Sequence, residues 1–215
     1  MKKHILLIGG GGHAKGIIDS LRDSQEFKVL GILDVKERKG EQINGIEIIG
    51  CDEELPYYYS QGIKYVFVAM GSVGSPVKRM NLYHQAKRLG YIIPNIIDST
   101  AIISTDVRME EGNYVGKGAI INVGTQIKSN CIINTGAIID HDCTICDFVH
   151  IAPGATLCGG VTVGKATHIG ANTTIIQYKQ IGSNSLVGAG SVVVTDIGSN
   201  VKAYGNPCRE VSTIG

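Results

Sequence analysis

From Ile103 to Val193 an aliphatic side chain stands at every sixth position: Ile103, Met109, Val115, Ile121, Ile127, Ile133, Ile139, Ile145, Ile151, Leu157, Val163, Ile169, Ile175, Ile181, Val187 and Val193. Two residues before each, the side chain is usually small, as at Ala119, Thr125, Cys131, Ala137 and Cys143. A strand puts residues two apart on one face, so each hexad supplies one large and one small inward group. The positions that follow are rich in Gly, Asn, Asp and Lys, the residues of tight turns. An unbroken period of this kind is the signature of a solenoid. An amphipathic helix would need apolar residues every three to four positions instead. The pattern predicts a parallel β-helix. With three hexads per triangular turn, residues eighteen apart stack, giving about five coils over ~25 Å. The interior is expected to be complete without a polar residue, so functional groups must point outward.

The pattern before residue 98 differs. Lys3–Ile8 reads as a short buried strand, followed by the run Gly9-Gly10-Gly11-Gly12-His13 and a helix from Ala14 to Asp23. Further strands are predicted at Phe27–Leu33, Ile46–Ile49, Tyr65–Met70 and Tyr91–Ile97, with a helix at Val77–Leu89. Strands alternating with helices imply a Rossmann-like α/β parallel sheet over residues 1–97, preceding an all-β domain over 98–215. Ligands of such sheets sit beyond the carboxyl ends of the strands, where Gly11, Gly12, His13, Asp34 and Gly71 fall.

Composition narrows the function classes. Net charge is +1, with basic and acidic residues balanced, which gives no reason to expect nucleic acid or an anionic membrane surface. The apolar run Ile5–Ile8 is too short for a secretory leader, and no segment reaches membrane-spanning length. Six cysteines without a secretory context read as reduced thiols of a cytoplasmic protein.

Gly9, Gly11 and Ala14 satisfy G-x-G-x-x-A after a strand, with Asp34 twenty residues beyond Ala14. Such a turn exposes amides at a helix N-terminus and favours phosphate. A plain strand-to-helix turn would read the same way. The first unit is too short for a second mononucleotide half, so a nucleotide attached to something else fits better than a redox cofactor. The densest chemistry is Asp140-His141-Asp142-Cys143, just past the rung Ile139. An imidazole between carboxylates suits a general base, although a solvated turn could hold the same residues. His150 and His168 are eighteen apart and should stack, but two histidines without a carboxylate do not make a metal site. Cys143-x-x-Cys146 is a lone pair, too few ligands for structural zinc, and Cys143 holds a small inward position.

These residues together resemble a known family. The hexad ladder resembles the left-handed β-helix acyltransferases, and that handedness comes from the likeness, since the usual crossover rule favours right-handed connections. The whole chain is similar to the NeuD/PglD-type sugar acetyltransferases. The match points are the glycine run to His13, Leu33-Asp34, Ala69-Met70-Gly71, Asn134-Thr135-Gly136, the Asp140–Cys143 corner and Gly205-Asn206-Pro207-Cys208-Arg209. The string from Asn134 to Cys143 looks particularly like the GDP-perosamine N-acetyltransferases. The resemblance implies that His141 is the catalytic base and Asp142 its acidic modulator. It implies nucleotide-sugar contacts at Gly11, Gly12, His13, Asp34, Val35 and Gly71, and coenzyme A contacts at His150, Ala171 and Ala189. It also implies acetyl-CoA as co-substrate and a homotrimer with shared active sites. The eighteen-residue register adds Gly159 as a backbone donor facing His141. The expected activity is N-acetylation of a nucleotide-linked 4-amino sugar in bacterial surface-glycan biosynthesis. The alternatives are O-acetylation of sialic acid and a non-enzymatic structural or nucleotide-sensing solenoid.

Overall fold

The computed structural model describes residues 2–214 and divides into two compact units, one ending at Ile96 and the other running from Ile97, which also takes in Val73–Ser75. In the first, strands β1 (Lys3–Ile8), β2 (Phe27–Leu33), β3 (Gln42–Ile43), β4 (Ile46–Gly50) and β5 (Tyr65–Val68) form one sheet in the order β3-β4-β2-β1-β5. All neighbours are parallel except the edge pair β3–β4. Helix α1 (Gly12–Arg22) buries Ala14, Ile17, Ile18 and Leu21, the three-to-four spacing of one helical face. Helix α2 (Leu55–Ser60) starts with Pro56 in its first turn, where a missing N–H costs nothing. Helix α3 (Val77–Arg88) buries Arg79, Leu82, Tyr83 and Ala86.

Several boundaries differ from expectation. Helix α1 begins two residues early because Gly11 is extended and serves as its N-cap. Strand β5 stops at Val68, and the strand expected over Tyr91–Ile97 shrinks to one bridge between Tyr65 and Ile92 and the pair Ile96–Ile97. Pro94 interrupts it, since proline has no N–H for a ladder. The β3–β4 hairpin was not anticipated. Its turn is Asn44-Gly45, both at positive φ, the conformation a two-residue hairpin requires.

The second unit is a left-handed parallel β-helix of two-residue strands. Its first face stacks Ile103, Ile121, Ile139, Leu157, Ile175 and Val193; the second stacks Met109 to Ile181, and the third Val115 to Val187. Every pairing joins residues eighteen apart, as the period predicts. From Val115 onward the rungs are buried, whereas Ile103 and Met109 in the first coil are only half-buried. A hairpin of Val201–Gly205 and Cys208–Thr213 extends the third face. Among the described residues no helix is long and apolar enough to cross a membrane.

The interior corrects one expectation, because it is not free of polar groups. Thr125, Thr167 and Thr173 are buried at small inward positions. Each hydroxyl donates to a carbonyl fifteen residues on: Asp140 at 2.9 Å, Gly182 at 2.6 Å and Gly188 at 3.0 Å. Asn113 is fully buried and accepts the Cys131 N–H at 2.7 Å. Threonine fills nearly the volume of valine, and buried polar atoms persist where they are bonded. Corners impose a second period. Every sixth residue from Gly112 to Gly190 has positive φ, between 54° and 75°. Seven of these are glycine, and the others are Asn130, Asp142, Phe148, Ala166, Asn172, Tyr178 and Asn184.

Candidate active site

His141 stands two residues past the rung Ile139, at the corner after the first face, and Asp142 follows in the left-handed conformation at φ 58°. Aspartate tolerates that region better than most residues, and the bend turns its carboxylate back toward its neighbour. The His141 Nδ1–Asp142 Oδ2 distance is 2.9 Å. A carboxylate only accepts, so Nδ1 carries the proton and Nε2 presents its lone pair. The backbone is fixed as well. Asp140 Oδ1 accepts the His141 N–H at 2.8 Å and the Asn122 amide at 3.1 Å, and Gly160 N–H donates to the His141 carbonyl at 2.8 Å. The hydrogen bond to Asp142, aided by the charges of Asp140 and Asp142, raises the His141 pKa above its ordinary 6.5. The bonds from His141 N–H and Asn122 hold Asp140 below the usual carboxylate range.

Gly159 lies one coil above. A Cβ there would fall on Nε2 and Cε1 of His141, so the imidazole packs against this glycine and excludes any side chain. At Thr135 and His141, which hold matching corner positions, the preceding side chain takes up the amide: Asn134 Oδ1 accepts Thr135 N–H, and Asp140 Oδ1 accepts His141 N–H. The Gly159 N–H has no acceptor among the described residues. The corner therefore offers an imidazole base, a fixed tautomer and an open backbone donor side by side. Cys143 does not join them. Its thiol is buried, donates to the Cys158 carbonyl, and is pushed up to about 11 by burial, so Cys143 is not held as a thiolate.

His150 occupies the outer side of the third face and is buried, its Nε2 3.3 Å from the Asn134 amide nitrogen. It stacks on His168 edge to face, with ring centres 4.7 Å apart. Ala171 and Ala189 follow the third-face rungs Ile169 and Val187 by two residues, at the corner between the third and first faces. Within one chain these groups do not converge on His141, because the whole first face separates the two corners. Among the described residues no three His, Cys, Asp or Glu side chains gather as a metal site.

In the first unit, Gly9 to Gly12, His13, Asp34, Arg38 and Ala69 to Gly71 line a cavity of about 360 Å³. Val35 lies instead in an adjoining small cleft with Asp34, Asp52 and Lys78. The first-turn amides of α1 open here without a side-chain cap or an acidic residue, an arrangement that favours anions. Asp34 acts as a clasp. Its Oδ1 accepts Val35 N–H at 2.8 Å, and its Oδ2 accepts Gly10 N–H at 2.8 Å and Arg38 Nη1 at 2.7 Å. Burial, with the Arg79 charge nearby, lowers the His13 pKa to about 4, so His13 is a neutral polar group at physiological pH. The cavity's cation is Arg38, which also reaches the Gly10 carbonyl at 3.2 Å. Arg38 escaped the sequence reading because it lies outside the glycine fingerprint, although its i,i+4 spacing from Asp34 on a helical turn was a usable signal. Asn122, eighteen residues before Asp140, could have been found by the same stacking rule that found Gly159.

Residues 4–86 match the family model described as PglD N-terminal domain, and residues 124–159 and 142–177 match bacterial transferase hexapeptide (six repeats). Among solved structures, perosamine N-acetyltransferase from Caulobacter crescentus, crystallised as a histidine-to-asparagine mutant with CoA and GDP-perosamine, is 37% identical, with 97% of each chain covered and a TM-score of 0.91. The acetyltransferase domain of PglB from Neisseria gonorrhoeae, in complex with acetyl coenzyme A, is 30% identical over 98% of this chain and 100% of that one, with a TM-score of 0.89. A curated relative, uncharacterized protein L142 of Acanthamoeba polyphaga mimivirus, is 32% identical over 124 residues, and the chain spans only 23% of its length. Near-complete coverage by two sugar acetyltransferases, together with both family models, shows that this chain belongs to the hexapeptide-repeat sugar acetyltransferases that carry a PglD-type N-terminal domain.

Proposed function

We propose that this protein transfers the acetyl group of acetyl-CoA to the amine of a nucleotide-linked 4-amino sugar, in the cytoplasm and in the service of bacterial surface-glycan synthesis. The observation that carries the reading is the His141 corner, where Nε2 lies over Gly159, a glycine whose N–H is open. His141 Nε2 takes the proton of the acceptor amine as the nitrogen attacks the thioester carbonyl. Gly159 N–H stabilises the oxyanion, and His141 then returns its proton to the departing CoA thiolate. Asp142 holds the tautomer throughout. No acyl-cysteine forms, consistent with the buried, protonated Cys143.

The glycine cavity supports a nucleotide-bearing acceptor. The amides of Gly11 and Gly12 and the Arg38 guanidinium would meet a diphosphate, Asp34 and Gly71 shape the wall, and His13 and Val35 offer uncharged contacts to the rest of the ligand. His150, Ala171 and Ala189 lie a full face away from His141, which supports a homotrimer whose CoA groove joins the His141 corner of one subunit to those groups of the next.

The test is thiol release from acetyl-CoA against UDP-, GDP- and dTDP-linked amino sugars, with free and CMP-linked sialic acid alongside. A nucleotide-linked amino sugar should be the preferred acceptor. Faster turnover of sialic acid would reassign the chemistry to oxygen, and turnover of none would return the protein to a binding or structural part.

A further inference from the structure

The corner that carries Asp142 continues upward, at intervals of eighteen, to Gly160 and Tyr178, and downward to Gly124. All four have positive φ, and two are glycine, which holds that conformation without steric cost. Tyrosine at φ 58° is a genuine outlier for a bulky residue. The other large or apolar outliers of the coil, Phe148 and Ala166, are buried, so packing offsets their strain. Tyr178 is 70% exposed and has no such compensation. Strain retained without a packing return is found at functional sites.

The ring's position indicates a use. It turns back over Gly160, where a Cβ would meet Cδ1 at 2.5 Å and Cε1 at 2.7 Å, while the His141 ring covers Gly159 from the coil below. The backbone beneath is fixed, with Tyr178 N–H bonded to the Gly159 carbonyl at 2.9 Å. Consecutive α carbons are about 3.8 Å apart, so two rings flank a single peptide beside the open Gly159 N–H. We propose that Tyr178 sets the size of the acyl group this enzyme transfers. The inference rests on the reading of His141 as base and Gly159 as oxyanion donor. A thioester whose oxygen sits on Gly159 N–H has the attacking amine on its His141 side. The amine attacks the face of the planar carbonyl, so the acyl group and the CoA sulfur lie in its plane. With the sulfur leading into the groove toward the neighbouring subunit, the acyl group is left on the side of the Tyr178 ring. A methyl fits in that interval, and each added methylene meets the ring.

The experiment compares kcat/KM for acetyl-, propionyl- and butyryl-CoA with one amino-sugar acceptor in wild type, Tyr178→Gly and Tyr178→Phe. Glycine is the native choice at this corner one and three coils below, so Tyr178→Gly keeps the fold, which thermal melting verifies. The butyryl-to-acetyl ratio should rise at least ~10-fold in Tyr178→Gly, the scale on which pockets discriminate a methylene, and stay at the wild-type value in Tyr178→Phe. An unchanged ratio in Tyr178→Gly, or a Tyr178→Phe enzyme as permissive as Tyr178→Gly, overturns the inference while leaving acetyl transfer standing. If wild type transfers acetyl to no amino sugar, the functional reading falls and this inference falls with it.

Discussion

The His141 corner and the glycine cavity are built on opposite plans. At the corner, the contacts between coils join residues eighteen apart: Asn122 to Asp140, Gly124 to Asp142, His141 to Gly159. Position in the chain is position in space, and each side chain stands on backbone bonded to the coils above and below it. The cavity is assembled from three strand ends and a helical turn, and it is held by one carboxylate, Asp34, that gathers Gly10, Val35 and Arg38. A periodic scaffold fixes a few groups rigidly for chemistry. A convergent one surrounds a larger ligand with many weaker contacts.

That difference predicts unequal consequences of mutation. Removing one group from the corner should abolish chemistry, whereas removing one from the cavity should weaken binding. His141→Ala is expected to lower kcat by ~10²–10⁴, the usual contribution of a general base, with the melting temperature unchanged because the ring is on an outer corner. Near-normal turnover in the folded variant would remove the base assignment.

Asp34→Ala tests the other side. Losing the clasp frees Gly10 N–H and Arg38 together, so KM for the nucleotide-sugar should rise by roughly tenfold, about the value of one charged hydrogen bond. KM for acetyl-CoA should not change, and kcat should fall little. Equal increases in both constants would show that the two regions do not divide the substrates between them.

The same contrast explains what could be read in the sequence. All three rung stacks, the pairing of His150 with His168 and the placement of His141 against Gly159 followed from counting by eighteen. The buried hydroxyls of the interior were missed because a threonine beside a rung looks the same whether its Oγ1 meets a carbonyl or solvent. Asp142, Phe148 and Tyr178 obey the six-residue corner rule, yet composition disguises it, since half the corner residues are not glycine. In the first unit no period exists, so the glycine run and Asp34 were visible as a motif while Arg38 was not. The Asn44-Gly45 hairpin was overlooked beside the stronger strand that follows it.

The smallest expected effect separates the two regions by their histidines. His141 is raised above 6.5 chiefly by its bond to Asp142, while burial drops His13 to about 4. A base works only when neutral, so kcat/KM should fall on the acid side as pH drops through the His141 pKa, with the limb centred above 6.5. His13 has shed its proton well below that range and should not contribute. Asp142→Asn removes the charged acceptor, so the imidazolium is less favoured and the limb moves to lower pH. Asparagine's Oδ1 can still accept from Nδ1, so the tautomer is kept and the loss at high pH stays modest. His13→Asn should leave the limb where it is, whatever it does to KM. The acceptor amine also titrates, but identically in every variant, so only differences between profiles carry the assignment. A limb that stays put in Asp142→Asn, or moves in His13→Asn, would mean that the titrating base belongs to the cavity and not to the corner.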